Sequence, residues 1–264
     1  MSPGRSDDAA TLDRRAFTAA ALAAALALPE RAMALTEPTA PSNVTKTIAI
    51  LLYPGMTALD VVGPQTMLAG LGPVEWVAAR TGPVMSDTGL SLVATHDFDS
   101  CTRDLEVLLV PGGDGTPAQM RDAATLAFLA DRAARATWVT SVCTGALILG
   151  AAGLLRGYRA TSHWCVRDAV LPLLGAEPVD GRVVFDRNRV TAAGVSAGLD
   201  FALALAARLR GDAYAKTAQL VAEYAPQPPF TAGTPAAAGP EIAGAAGAIL
   251  ADLVAGSRAA ASER

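Results

Sequence analysis

Short apolar runs alternate with longer stretches of helical spacing along most of this chain. The runs are continuous rather than alternating, as expected for strands of a parallel sheet whose two faces are both covered. Strands that alternate with helices predict an α/β fold. The strand-like runs are TKTIAILLYPG, VEWVAAR, DLEVLLVPGGDGT, TWVTSV, RVVFD and RVTAAG, and two shorter strands are expected within VMSDTGLSLVATHDF.

The helical stretches lie between these runs. A short helix is expected beyond Pro64, and helical spacing continues over residues 117–136. Long helices are expected in AGLDFALALAARL and DAYAKTAQLVAEYA. A last helix is expected within residues 241–256, as a contact surface between subunits.

The N-terminal segment is not typical of a folded domain. Arg14 and Arg15 precede Phe17 and an Ala/Leu-rich run, and Ala32–Ala34 has the small residues of a cleavage site. This order resembles a twin-arginine export signal, which predicts a periplasmic or extracellular protein, or a cytoplasmic one if the signal is not used. The predicted organisation is a signal peptide (1–34), a linker (35–46), an α/β domain (47–225) and a Pro/Gly-rich arm with a C-terminal helix (226–264).

Composition and charge exclude several classes of function. The chain has 264 residues, of which 52% are hydrophobic, and its net charge is −4. No basic stripe suggests nucleic-acid binding, and no apolar run reaches the roughly 18 residues of a membrane-spanning helix. With two histidines and three cysteines in no ligand-like cluster, no metal site is expected. Cys101 and Cys165 lie in ordinary surroundings, and the sequence leaves undecided whether they form a disulfide with each other.

Three predicted strand ends carry the candidate chemistry. They are YPGMTALD, which ends at Asp60, then VPGGDG, and SVCTG, which contains Cys143. Ligands of open α/β sheets bind at the carboxyl ends of the strands, which the parallel topology brings to one edge. Cys143 lies between a strand and a helix, as in a nucleophile elbow, where the positive helix end favours the thiolate. A small buried cysteine without chemistry also fits the residue type.

The other candidate residues each allow two interpretations. Asp60 is surrounded by apolar residues, so it either caps a helix or is a buried acid whose raised pKa lets it give and take a proton. Gly112 and Gly113 suit a tight turn, and they also allow backbone N–H groups to approach a ligand. His163 is interpreted as an ordinary half-buried histidine rather than a catalytic one.

The segment SVCTGALILGAAGLLRGYRATSHW resembles the cysteine-elbow region of the ThiJ/PfpI superfamily. Within that superfamily, YPGMTALDVVGP, VPGGDGT, AAGVSAGLDFALALAA and EYAPQPPFTAGTP resemble the isonitrile hydratase branch. The resemblance runs from about Thr47 to about Pro240. It implies a flavodoxin-like three-layer sandwich with a mostly parallel sheet and a cysteine elbow, assembled as a homodimer.

The resemblance also implies roles for individual residues. Cys143 corresponds to the nucleophile, Asp60 to the acid and base, and Thr144 to a residue that holds the site. Gly112 and Gly113 correspond to the loop whose amides bind substrate or an oxyanion. The implied reaction hydrates a small isonitrile to an N-substituted formamide, without metal or cofactor. Peptidase-like relatives carry a histidine where this chain has Thr144, which argues against a Cys-His hydrolase.

Two other functions are weighed against isonitrile hydration. A glyoxalase- or deglycase-like enzyme acting on reactive carbonyls uses a related cysteine site, but it is disfavoured by the missing histidine. A ligand-sensing, amidase-like module without catalysis is also related, but such modules continue into a helix-turn-helix region. The stretch after Pro240 is too short for one.

Overall fold

A computed structural model of the chain describes residues 46–264. The predicted signal peptide and all but the last residue of the predicted linker lie outside the described residues. Ten strands are assigned within the described part of the chain: β1 (Thr47–Leu51), β2 (Val74–Val77), β3 (Gly82–Met85), β4 (Ser91–Ala94), β5 (Leu105–Val110), β6 (Trp138–Ser141), β7 (Arg159–Ala160), β8 (Glu177–Pro178), β9 (Val183–Asp186) and β10 (Arg189–Ala192).

The helices alternate with these strands over most of the chain. A 3₁₀ helix covers Leu171–Leu174. The α-helices are α1 (Ala58–Leu68), α2 (Thr116–Gln119), α3 (Ala123–Ala133), α4 (Gly145–Ala151), α5 (Trp164–Val170), α6 (Ala197–Arg210), α7 (Asp212–Val221), α8 (Pro235–Ala238), α9 (Pro240–Ile249) and α10 (Ala251–Ser262).

Six strands form the central sheet in the order β2-β1-β5-β6-β10-β9. All neighbouring pairs are parallel except β9 and β10 at one edge. Every residue of β1 and β10 is buried, as expected for strands covered on both faces. Helices α1, α6 and α7 pack together as one layer, and α2, α4 and α10 belong to another. The predicted α/β fold with a mostly parallel sheet is therefore confirmed.

The first helix begins earlier than predicted. It starts at Ala58 and contains Pro64, whereas the sequence predicted a short helix beyond that proline. Pro64 has no N–H to donate to the carbonyl of Asp60, which weakens the helix locally. Burial compensates, because Val61, Pro64 and Leu68 form one buried stripe. A Cβ on Gly198 of α6 would lie 3.1 Å from Pro64 Cγ, so the two helices pack closely there.

The stretch predicted to have helical spacing over residues 117–136 contains two helices rather than one. Helix α2 ends at Gln119, and α3 begins after Asp122, whose carboxylate accepts a hydrogen bond of 3.0 Å from the Thr125 N–H. An aspartate that caps the second helix satisfies a free amide at its start. The break therefore follows from a local capping interaction.

The predicted C-terminal helix is also divided, and its second half packs on its own subunit. Helices α9 and α10 are bent by 61°. Ser257, Ala260 and Ala261 of α10 are buried, and Arg121 pairs with Glu263 at 2.7 Å. Helix α10 therefore contacts the main domain instead of serving wholly as a subunit contact. Helix α9 has no buried residue.

A membrane-spanning helix was not expected from the sequence. Within residues 46–264, no single helix has the length and hydropathy to cross a membrane. Helices α9 and α10 meet those criteria only when taken together across their bend.

Candidate active site

Four strand ends meet at one edge of the sheet. The carboxyl ends of β1, β5 and β6 lie together, as the sequence predicts, and β10 adds a fourth. Backbone hydrogen bonds join them: the Thr57 N–H donates to the Gly112 carbonyl at 2.8 Å, and the Cys143 N–H donates to the Ala193 carbonyl at 2.9 Å. The segment after β10 is a part of the site that the sequence analysis did not identify.

Cys143 occupies the corner between β6 and α4. Its φ is 57°, which is unusual for a residue other than glycine and marks a constrained turn. The Ser162 hydroxyl donates to its carbonyl at 2.8 Å. The side chain is buried, with 5% of the residue exposed. The geometry is that of a sharp strand-to-helix elbow.

Burial sets the protonation of the Cys143 thiol. It raises the pKa of the thiol well above its usual value, and the charge of Asp60 raises it further. The backbone N–H groups of Val195 and Thr144 face the sulfur and lower the pKa, but by less. The expectation of a favoured thiolate is therefore wrong for this resting state. Helix α4 has only seven residues. The effect of its dipole, which favours the thiolate, is therefore smaller than the desolvation penalty, which favours the neutral thiol.

Asp60 is the third residue of α1 and is fully buried. Its Oδ2 accepts a hydrogen bond of 2.8 Å from the Gly112 N–H, while its Oδ1 has no partner within residues 46–264. Burial raises the pKa of Asp60 to about 7; the Gly112 N–H opposes this, and the charge of Asp87 adds to it. The interpretation of Asp60 as a buried acid is confirmed, since its carboxylate bonds to another loop rather than to its own helix.

Thr144 is held by a chain of polar groups. Its hydroxyl accepts a hydrogen bond of 3.0 Å from the Gly113 N–H and lies 2.7 Å from the Thr116 hydroxyl. The Tyr53 hydroxyl follows at 3.4 Å from Thr116 and donates to the Pro111 carbonyl at 2.9 Å. Thr144 is completely buried. This network fixes the glycine loop against the cysteine elbow.

Gly112 and Gly113 are required by close packing. A Cβ on Gly112 would lie 2.5 Å from Thr144 N and 2.9 Å from Cys143 Cβ, and Gly113 has a φ of +131°. Both N–H groups already donate inside the protein, to Asp60 and Thr144. In this structure the two amides position the site residues, which differs from their predicted role in binding substrate or an oxyanion.

A second carboxylate near the site was missed by the sequence analysis. Asp87 follows β3, and its carboxylate accepts a hydrogen bond from the Thr57 hydroxyl. Its N–H donates to the Met56 carbonyl at 2.9 Å. The only sequence signal was the turn-forming pattern SDTG. That pattern predicts a hairpin but does not place the hairpin against the end of β1.

The remaining histidine and cysteines have structural surroundings. His163 is the N-cap of α5, and its Nδ1 lies 3.0 Å from the Cys165 sulfur. Burial lowers the pKa of His163 and raises the pKa of Cys165 to about 11. All three cysteines of the described chain are free, so Cys101 and Cys165 are not paired with each other.

An open cleft of about 830 Å³ adjoins the cysteine elbow. Its wall includes Ser162, which bonds the Cys143 carbonyl, and Val195, whose N–H faces the sulfur. Residues 233–236 of the C-terminal arm line the same cleft. The cleft lies within the size range of small-molecule sites in proteins.

Comparisons with known proteins agree with this architecture. The model of the DJ-1/PfpI family matches residues 46–208. An isonitrile hydratase of Pseudomonas putida is 50% identical over 190 residues, which are 71% of this chain and 82% of that protein. A deglycase of Thermococcus kodakarensis is 29% identical over 54% of this chain and 87% of its own length.

A solved structure supports the same relationship. The crystal structure of a ThiJ/PfpI family protein from Pseudomonas syringae superposes with a TM-score of 0.81 and 51% sequence identity. The match covers 88% of this chain and 98% of that one. With a family match over more than half of its length and a cysteine elbow at the shared sheet edge, this chain belongs to the DJ-1/PfpI family.

Proposed function

We propose that this protein hydrates isonitriles to N-substituted formamides, with Cys143 as the nucleophile and Asp60 as the proton carrier. The observation that carries the proposal is the buried pair itself: an acid with a pKa of about 7 lies beside a buried thiol at the cysteine elbow. The 50% identity to an isonitrile hydratase supports the same reaction. Thr144 occupies the position after the cysteine, so no histidine serves as base there.

Above the pKa of Asp60, about 7, the buried pair holds one proton. Asp60 ionises before Cys143, because its pKa is the lower of the two. Each charge disfavours the other, so the two groups titrate as a coupled unit. Transfer of the thiol proton to the carboxylate produces a thiolate beside a carboxylic acid without changing the total charge. That form is the one able to attack.

In the first half of the reaction, the Cys143 sulfur forms a bond to the terminal carbon of R–N≡C. Asp60 delivers its proton to the same carbon, and the product is a thioimidate, R–N=CH–S, attached to the enzyme. Sulfur and proton add to the same carbon, so a thiolate and an acid that lie side by side supply the two parts of the addition. Asp60 is left ionised.

In the second half, ionised Asp60 takes a proton from water as the oxygen attacks the thioimidate carbon. Asp60 passes this proton to the nitrogen, and the carbon then carries hydroxyl, sulfur and the R–NH group. The carbon–sulfur bond breaks as the hydroxyl proton is transferred to sulfur through Asp60. These steps release R–NH–CHO and restore the thiol. The site thus begins and ends the cycle with one proton on the pair.

The cleft next to the elbow is where we place the substituent R. Val195 lines this cleft, and its backbone N–H faces the Cys143 sulfur, so Val195 links the cleft to the elbow. The wall includes Trp164, the hydroxyl residues Ser196 and Thr234, and four charged residues, which are Arg167, Asp168, Asp180 and Arg182. A wall of this mixed character suits a substituent with both apolar and polar parts.

The experiment that tests the proposal is an assay of purified protein against a panel of isonitriles, with formamide followed by NMR. Methylglyoxal is assayed in parallel, because the 29% identity to a deglycase makes carbonyl chemistry the competing function. Formamide production without methylglyoxal turnover is the expected result. Methylglyoxal turnover without formamide would favour the competing enzyme, and neither activity would favour a non-catalytic sensing module.

Two further expectations belong to this proposal. We propose a homodimer, because large apolar side chains of the C-terminal part are exposed, including Phe230 at 79% and Ile249 at 84%.

We also propose export through the twin-arginine route. Substitution of Arg14 and Arg15 by lysine should retain the full-length chain in the cytoplasm, and N-terminal sequencing of native protein should find a start near Leu35. An intact N-terminus on cytoplasmic native protein would contradict export.

A further inference from the structure

Two acids are linked at the edge of the candidate site. The Thr57 hydroxyl donates to Oδ2 of Asp87 at 2.5 Å. The Thr57 N–H donates to the Gly112 carbonyl at 2.8 Å, and the Gly112 N–H donates to Oδ2 of Asp60 at 2.8 Å. Two residues therefore connect one carboxylate to the other through three hydrogen bonds.

The position of Asp87 is fixed by the backbone. Its N–H donates to the Met56 carbonyl at 2.9 Å, and Met56 forms a parallel bridge with Ser86. Its Oδ1 is buried and has no hydrogen-bond partner within residues 46–264. A carboxylate that is only partly solvated exerts a stronger field on its neighbours than an exposed one.

Three titratable groups face Asp60 from the surrounding elements: Tyr53 after β1, Asp87 after β3, and Cys143 after β6. Burial raises the pKa of Tyr53 and of Cys143 well above their usual values, so both are neutral at pH 7. Asp87 is thus the group in this set that brings a negative charge. Its effect on Asp60 is to favour the protonated carboxyl.

We propose that Asp87 is a positioning residue for the reaction, whose charge, held in place by Thr57, keeps the transferable proton on Asp60. Asp87 does not touch the reacting atoms, but acts through Asp60. The catalytic meaning of this inference rests on the proposed function. The coupling between the two carboxylates does not, and it is measured without substrate.

The experiment is carboxyl ¹³C NMR of the purified protein labelled at the aspartate Cγ atoms. The Asp60 signal is identified by its loss in Asp60→Asn. Its chemical shift is followed as a function of pH, which gives the titration midpoint of Asp60. The expected midpoint lies near pH 7 in the unaltered chain. It falls by roughly half a pH unit or more in Asp87→Asn, because a like charge is removed.

Variants of Thr57 provide a second, independent test. Thr57→Val removes the hydroxyl that holds the Asp87 carboxylate in place, so the Asp60 titration midpoint should fall, whereas Thr57→Ser should restore it. Asp104→Asn is the matched control, since Asp104 is exposed and immediately precedes β5, at the opposite edge of the sheet. Should Asp87→Asn fail to fold, the Thr57 pair decides the question. Equal midpoints in the unaltered chain and in the folded variants of Asp87 and Thr57 would overturn the inference.

The pH profile of isonitrile hydration separates this inference from the proposed function. In Asp87→Asn, the acid limb of kcat/KM should move to lower pH by the same amount as the NMR midpoint. A shifted midpoint without turnover of any isonitrile would leave the carboxylate coupling intact and contradict the proposed reaction. Turnover with neither the midpoint nor the acid limb shifted would contradict the role of Asp87 and leave the reaction intact.

Discussion

The replacement Asp60→Asn should abolish most activity. It should also change the pH dependence of stability, so that the stability of the variant relative to the unaltered chain increases from acidic to neutral pH. The reason is the raised pKa of Asp60, about 7 in the folded protein because of burial. In the unfolded chain the same carboxyl titrates near its ordinary value of about 4. Between these two values the folded state holds a proton that the unfolded state has released.

The sign follows from this proton difference. As pH rises from about 4 to about 7, the unfolded state loses its proton first, so the free energy of unfolding falls by about 1.4 kcal/mol per pH unit. The full loss amounts to about 4 kcal/mol, reached above the folded pKa. Asn at position 60 does not ionise and avoids this loss. Its amide hydrogens add an unpaired buried donor, which lowers stability equally at every pH.

Urea denaturation of the unaltered chain and of Asp60→Asn between about pH 4 and about pH 8 measures the difference directly. The stability of the variant relative to the unaltered chain should increase across this range by up to about 4 kcal/mol, with most of the change complete near pH 7. Asp104→Asn removes an exposed carboxylate and should show no such trend. A difference between Asp60→Asn and the unaltered chain that stays constant with pH would refute the raised pKa.

Three further predictions test the packing, the polar network and the assembly. Gly112→Ala should lower stability by at least about 2 kcal/mol and remove activity, because the added Cβ overlaps the elbow; Gly244→Ala, whose Cβ meets nothing within 4 Å, is the control in thermal denaturation. Thr144→Val should reduce kcat at least about tenfold while Thr144→Ser restores it; equal rates in both would exclude the hydroxyl network. Sedimentation should show a homodimer that Phe230→Asp or Ile249→Asp weakens, and a monomer at micromolar concentration would contradict the assembly.

The sheet and the cysteine elbow were predictable because their signals are local. Continuous apolar runs identify buried parallel strands, and the carboxyl ends of such strands meet at one edge whatever the loops do. The sequence alone therefore places Cys143 and Asp60 near each other. The raised pKa of Asp60 was one of the two interpretations that its apolar surroundings allowed, and its burial in the fold decided between them.

Other features depend on contacts that are distant along the chain. Asp87 reaches the site because the β3–β4 hairpin bridges to the end of β1, which no local pattern encodes. Helix α1 continues through Pro64 because it packs on α6, so a tertiary contact overrides a local breaker. The neutral state of Cys143 depends on how completely the fold buries it, whereas its position at the turn alone favoured the thiolate.

The central claim is that Cys143 carries the reaction, and the most direct measurement is the initial rate of formamide formation by Cys143→Ala and Cys165→Ala on one isonitrile. Both changes remove a free thiol of the described chain, and the two cysteines are close enough for the charge of one to affect the other. The account predicts a loss of about a thousandfold or more for Cys143→Ala and a rate close to that of the unaltered chain for Cys165→Ala. A Cys143→Ala variant that keeps more than half of the rate would contradict the account.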